Sequence, residues 1–138
     1  MIEDGIRALV EFRIEQARNC LANAEISVEA DFYKDAANRS YYCIFHCMRT
    51  VLALDKFDSK KHSGIIAAFR QKYIKTGKFA PEFSDIIGDA FEVRNLSDYE
   101  DFYVVSKADA LQQIDDARAF LEVVQNFINS ILEAGGTK

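Results

Sequence analysis

An all-α protein is what this sequence predicts, and three observations carry the prediction. Apolar residues recur at steps of three and four in five segments, no segment sustains the alternation of a strand, and the 138 residues include one Pro and six Gly. With 49% hydrophobic and 28% charged residues, the chain has the composition of one globular domain over residues 1–138, neither disordered nor collagenous. A domain of this size buries roughly 68% of its unfolded surface, enough to fold without disulfide or metal.

Each element can be justified in order. Ile6, Val10, Ile14, Ala17, Leu21, Ala24 and Val28 form the stripe of a long first helix. The second is expected from an N-cap at Asp31 through Asp35 to about Leu54. Ala37, Tyr41, Ile44, Met48 and Val51 make its main stripe, and Phe45 and Leu52 widen it, which marks the central, most buried helix. A short third helix follows a cap at Asp58 or Ser59, carries Ile65, Ile66, Ala68, Phe69 and Tyr73, and ends at Gly77. The fourth opens at Pro81 and places Phe83, Ile87, Ala90, Phe91 and Arg94 along one side. Ser106-Lys107-Ala108-Asp109 fits a capping box, after which the fifth helix runs through Leu111, Ile114, Ala117, Leu121, Val124, Ile128 and Ile131 to Gly135-Gly136.

Charge narrows the function. Seventeen basic against 22 acidic residues give a net charge of −5 and a pI near 5.0, which argues against a sequence-independent nucleic-acid coat and confines any phosphate chemistry to a small pocket. No apolar run approaches a bilayer span, and Met1-Ile2-Glu3-Asp4-Gly5 lacks the basic and apolar regions of a signal peptide, so a cytoplasmic location is expected. Three cysteines cannot all pair within the chain, and Cys43 and Cys47 sit at helical spacing in an apolar run, as reduced core residues do. There is no C-x2-C, Gly-rich phosphate loop, H-E-x-x-H or G-x-S-x-G, and neither a metal site nor a cofactor is expected.

Three polar features remain. Arg39, Tyr42, His46 and Arg49 follow steps of three, four and three on the second helix, one face able to receive a phosphate or to meet solvent or a second subunit. Lys60-Lys61-His62 opens the third helix, where backbone N–H groups favour anions, although lysines there oppose the helix dipole. In Arg94-Asn95-Leu96-Ser97-Asp98-Tyr99-Glu100-Asp101 a cation ends the apolar stripe of Ile87, Ala90 and Phe91, with Asp98 four residues on as a partner.

In combination these fragments resemble the HEPN domain, a nucleotide-binding helical domain, and in particular the small stand-alone prokaryotic HEPN proteins often encoded beside a minimal nucleotidyltransferase. The resemblance runs from about Asp31 to Phe127. It rests on Ala37-Asn38-Arg39-Ser40-Tyr41-Tyr42 with Phe45-His46, on Lys61-His62-Ser63-Gly64 with Phe69 and Thr76-Gly77, on Arg94 with Asp98-Tyr99, and on Ala117 with Phe120.

The resemblance implies a four- to five-helix up-and-down bundle that forms a homodimer with its cleft at the dimer interface. Active HEPN ribonucleases carry an R-x4-6-H motif, in which Arg holds the RNA phosphate and His serves in metal-independent acid–base catalysis. Arg94 and Asn95 match its first half, but positions 99–101 are Tyr, Glu and Asp. A tyrosine with a pKa of about 10 is a poor base at neutral pH beside a histidine near 6.5. In a related toxin branch a Tyr two positions after the His receives a nucleotide from the partner enzyme. Asp101 stands at that position here, with Tyr99 and Tyr103 nearby.

The leading expectation is therefore a toxin–antitoxin-like, homodimeric component that binds a nucleotide or RNA phosphate through Arg94, Asp98, Arg39, Tyr42 and Arg49, partnered by a nucleotidyltransferase. Arg94, Asn95 and Tyr99 are the candidate catalytic positions. The alternatives are an active endoribonuclease in which His46 or His62 replaces the missing histidine, and a bundle that only dimerises and docks a partner.

Overall fold

The computed structural model describes residues 2–136. The described residues contain five α-helices: α1 (Asp4–Glu29), α2 (Tyr33–Ala53), α3 (His62–Phe69), α4 (Glu82–Tyr99) and α5 (Lys107–Gly136). No strand occurs among the described residues. The ion pair between Lys56 and Glu3 brings the end of α2 beside the start of α1. Arg118 of α5 pairs with Glu25 of α1, while Arg18 of α1 bonds Gln125, so these two helices also run antiparallel. With α4 crossing α2 and α5, the result is an up-and-down bundle with α2 at its centre, contacted by α1, α3, α4 and α5.

Periodicity dictates the core. Val10, Ala17 and Ala24 of α1, Tyr41, Ile44, Met48 and Val51 of α2, Ile87 and Ala90 of α4, and Ala117, Phe120 and Val124 of α5 are fully or almost fully buried in one cluster. Phe69, Phe79 and Phe120 meet at centroid distances of 5.3–6.3 Å and lock α3 and its following turn against α5. Cys20, Cys43 and Cys47 are free and buried in this core. Among the described residues no helix is long and apolar enough to cross a membrane.

Several boundaries differ from the expected ones for local reasons. Asp31 does not cap α2: it takes the left-handed conformation at φ 66° in the tight turn after α1, and Phe32 occupies the N-cap position. Its carboxylate accepts the Tyr33 hydroxyl instead. Neither Asp58 nor Ser59 is the residue before α3, which is Lys61. The Ser59 hydroxyl accepts the Lys61 N–H, and Asp58 is drawn away by two arginines. The expected third helix also changes character at Arg70, where a single π-helical turn (Arg70–Ile74) precedes the left-handed Gly77 at φ 83°. Pro81 immediately precedes α4, whose first residue is Glu82. At α5 the Ser106 hydroxyl accepts the Asp109 N–H at 3.0 Å, as the capping pattern requires.

Candidate functional site

Near the centre of α2, successive turns present Tyr41, Tyr42, Phe45 and His46 toward the start of α3 and the second half of α4. His62, the first residue of α3, lies against this row. Its ring stacks on Phe45 at 4.2 Å and meets the Tyr41 hydroxyl through Nδ1 at 2.7 Å. From α4, Phe91 packs on Tyr41, and Arg94, one turn later, reaches over both tyrosines.

Arg94 is the hub. Its Nη2 donates to the Tyr42 hydroxyl at 3.2 Å and its Nη1 to Asn95 Oδ1 at 3.3 Å. Nε lies 3.0 Å from Asp98 Oδ2, which confirms the expected i,i+4 ion pair. That approach is not aligned as a hydrogen bond, so the buried Nε–H keeps an unspent donor and the contact is coulombic. A second guanidinium, that of Arg39, lies 5.2 Å from the Tyr42 ring. It donates to Asn38 Oδ1, and among the described residues it has no carboxylate partner. Tyr42 thus stands between two cations, only one of which is neutralised by an ion pair.

The other expected residues distribute differently. Arg49 is committed elsewhere: it grips Asp58 with Nη2–Oδ2 at 3.0 Å and Nε–Oδ1 at 3.4 Å. Arg13, which sequence reasoning did not single out, donates to the same carboxylate at 3.3 Å and to the Arg49 carbonyl at 3.1 Å. Its signal was its place between Val10 and Ala17 on the buried stripe of α1. Burial works to raise the Asp58 carboxyl, but the Arg49 hydrogen bond, the Ser59 N–H and both guanidinium charges outweigh it and hold it below the ordinary value. This clamp pins the segment that delivers His62.

The two histidines are not equivalent. Burial, reinforced by the charges of Arg49, Arg13 and Arg39, pushes His46 down to about 4, and its buried Nδ1 has no partner. At neutral pH it is an uncharged ring and not a cationic anion ligand. His62 is lowered as well, first by burial and then by Arg94 and Arg49. Tyr99 ends α4 three-quarters exposed, so the tyrosine that hydrogen-bonds Arg94 is Tyr42. Tyr103 is half-buried, packs on the core and donates its N–H to the Glu100 carbonyl.

Beyond Arg94 the chain turns outward. Tyr99, Phe102 and Val104 project into solvent, Phe102 at 96% exposure, alongside Glu100 and Asp101. Phe32, at the neighbouring turn before α2, is exposed as well. Among the described residues no three His, Cys, Asp or Glu side chains converge to hold a metal ion.

Comparison with known proteins agrees with this architecture. The chain is 29% identical over 126 residues to a UPF0332 protein of Thermotoga maritima, covering 91% of this chain and 96% of that one. It is also 29% identical over 121 residues to a Methanocaldococcus jannaschii protein named "Putative toxin MJ0142", covering 88% of this chain and 82% of that protein. A solved structure described as that of ST0689, an archaeal HEPN homologue, superimposes with a TM-score of 0.70 over 86% of this chain and 97% of its own, at 21% identity, and so shares the fold. The HEPN domain model matches residues 10–127, and the chain belongs to the HEPN domain family.

Proposed function

We propose that this HEPN protein is the phosphate-binding component of a toxin–antitoxin-like system, holding a nucleotide or an RNA phosphate at Arg94 and Arg39 beside Tyr42. One observation carries the reading: two guanidiniums converge on one tyrosine in an otherwise acidic protein, one with an unspent buried N–H and the other without a carboxylate. Charge-assisted hydrogen bonds from arginine suit a phosphate, and the exposed rim of aromatic rings suits a base. Asp98 restrains the cation that a phosphate would otherwise hold alone, which favours moderate affinity.

The exposed patch of Phe102, Val104 and Tyr99 adjoins the Arg94 end of α4 and supports pairing with a second copy and docking of a nucleotidyltransferase. Solvent-facing aromatics of this size mark interaction surfaces. The names of relatives as toxins fit the same reading.

The test is binding of AMP and of a short single-stranded RNA to the wild type and to Arg94→Ala, measured by calorimetry. Measurable binding by the wild type and a loss of about 10- to 100-fold in the variant are expected for one charge-assisted contact. Equal affinity of the two proteins, or no binding by either, removes the site. Mass measured against concentration tests the dimer, which should dissociate in Phe102→Glu.

A further inference from the structure

Tyr41 is fully buried, yet its hydroxyl has a partner, His62 Nδ1 at 2.7 Å. Two arrangements of protons fit that distance. If Nδ1 carried the proton and donated to the phenol oxygen, the Tyr41 O–H would need another acceptor in a dry site, and among the described residues it has none. If the phenol donates to an unprotonated Nδ1, both groups are satisfied by one bond. A buried hydroxyl left unpaired is costly, so the second arrangement prevails. The imidazole proton then resides on Nε2, on the far side of the ring, which is not buried and has no hydrogen-bond partner among the described residues.

Everything around the ring keeps it in that state. It is clamped by stacking on Phe45 and Tyr41 and by the edge of Tyr42. The charges acting on it are cationic, Arg94 from α4 and Arg49 from α2, and the neighbouring His46 is itself neutral. Burial of the Tyr41 phenol raises its pKa, so it stays a donor. Protonating Nδ1 would turn the Tyr41 hydroxyl away from its one acceptor.

We infer that Tyr41 fixes His62 as the neutral tautomer with its proton on Nε2, making that N–H a pre-set hydrogen-bond donor to a phosphate held at Arg94; the second half rests on the phosphate reading proposed above. Tyr41 is a positioning residue, and His62 a ligand that neither gives up nor takes a proton on binding. The assignment separates His62 from an acid–base role, because a nitrogen already protonated cannot serve as the base for a ribose hydroxyl.

The experiment is long-range proton–nitrogen NMR of histidine-labelled full chain, with an arginine Nε spectrum, from pH 5.5 to 8, with and without AMP. The wild type should show the Nε2–H form of His62 at pH 7, with a protonation midpoint below that of an exposed histidine. Tyr41→Phe should mix the two tautomers and move the midpoint upward. AMP should shift His62 Nε2 without protonating the ring. An Nδ1–H tautomer in the wild type overturns the assignment, as does an unchanged midpoint in Tyr41→Phe. AMP-induced change at Arg94 Nε with none at His62 overturns the donor role alone, and absence of change at both positions removes the phosphate reading with it. The wild-type tautomer is read without any variant, so the test does not depend on Tyr41→Phe folding.

Discussion

Arg94 of α4 donates to the Tyr42 hydroxyl of α2 at 3.2 Å, across 52 positions of sequence, while the Asp98 carboxylate waits 3.0 Å away on its own helix. The guanidinium is thereby suspended between a neutral acceptor and an anion, and Tyr42 keeps Asp98 from claiming it outright. Tyr42→Phe retains the ring under both arginines and deletes only the hydroxyl, so Arg94 should settle onto Asp98. The expected outcome is a loss of AMP affinity of about three- to tenfold, the worth of one hydrogen bond, with little change in urea midpoint. Calorimetry on the paired variants Tyr42→Phe and Tyr42→Phe/Asp98→Asn checks it, because removing the competing carboxylate should recover affinity.

Arg39 and Arg49 lie ten residues apart on α2 and share one face by spacing, yet the fold gives them different work. Among the described residues Arg39 has no carboxylate partner and lies over Tyr42, whereas Arg49 is bound to Asp58 through both Nε and Nη2. Arg39→Ala should weaken AMP by about threefold to tenfold and leave stability within about 0.5 kcal/mol. Arg49→Ala should do the reverse, costing about 1 kcal/mol in urea unfolding and leaving affinity nearly intact. Equal effects of the two on affinity would place the phosphate along the whole helix face instead of at Arg94.

How much of this was legible in the sequence follows from the range of each interaction. The helices, the central place of α2, the Ser106 cap and the Arg94–Asp98 pair are written in spacings of three and four, and all are present. Asp31 has the composition of a cap but stands where the chain must reverse within three residues, and there an αL aspartate serves the turn. Asp58 has the composition and position of a local cap, but its partners, Arg13 and Arg49, are 45 and nine residues away and on other elements. The partnership of Tyr42 with Arg94, and that of Tyr41 with His62, depend on how three helices meet, which no periodicity encodes.

The Arg13–Asp58–Arg49 clamp predicts a dependence on acid. The Asp58 carboxyl is depressed in the folded protein, so its stabilisation is complete above the unfolded value near 3.8 and disappears as pH falls through the lower folded value. Asp58→Asn should cost about 1 kcal/mol at pH 7, because the buried Arg13 loses its counter-charge while keeping the Arg49 carbonyl. Its urea midpoint should fall less than that of the wild type between pH 4 and 2. Parallel acid limbs for the two proteins would show that the clamp carries no titrating stability.

His46 should govern a different window. Folding lowers this histidine from 6.5 to about 4, so the unfolded chain binds the extra proton between those values and stability must rise with pH across that interval. The ring is only partly buried, and after allowance for solvent screening the effect is about 1–2 kcal/mol in total. Its buried Nδ1 has no hydrogen bond to lose. His46→Leu therefore removes a penalty without breaking a side-chain hydrogen bond, giving up only ring contacts with Tyr42 and Phe45, and should flatten the stability profile between pH 4 and 6.5 while matching or exceeding the wild type at pH 5. Urea denaturation at half-unit steps of pH decides the matter, since a variant that keeps the wild-type slope would assign that proton to another group.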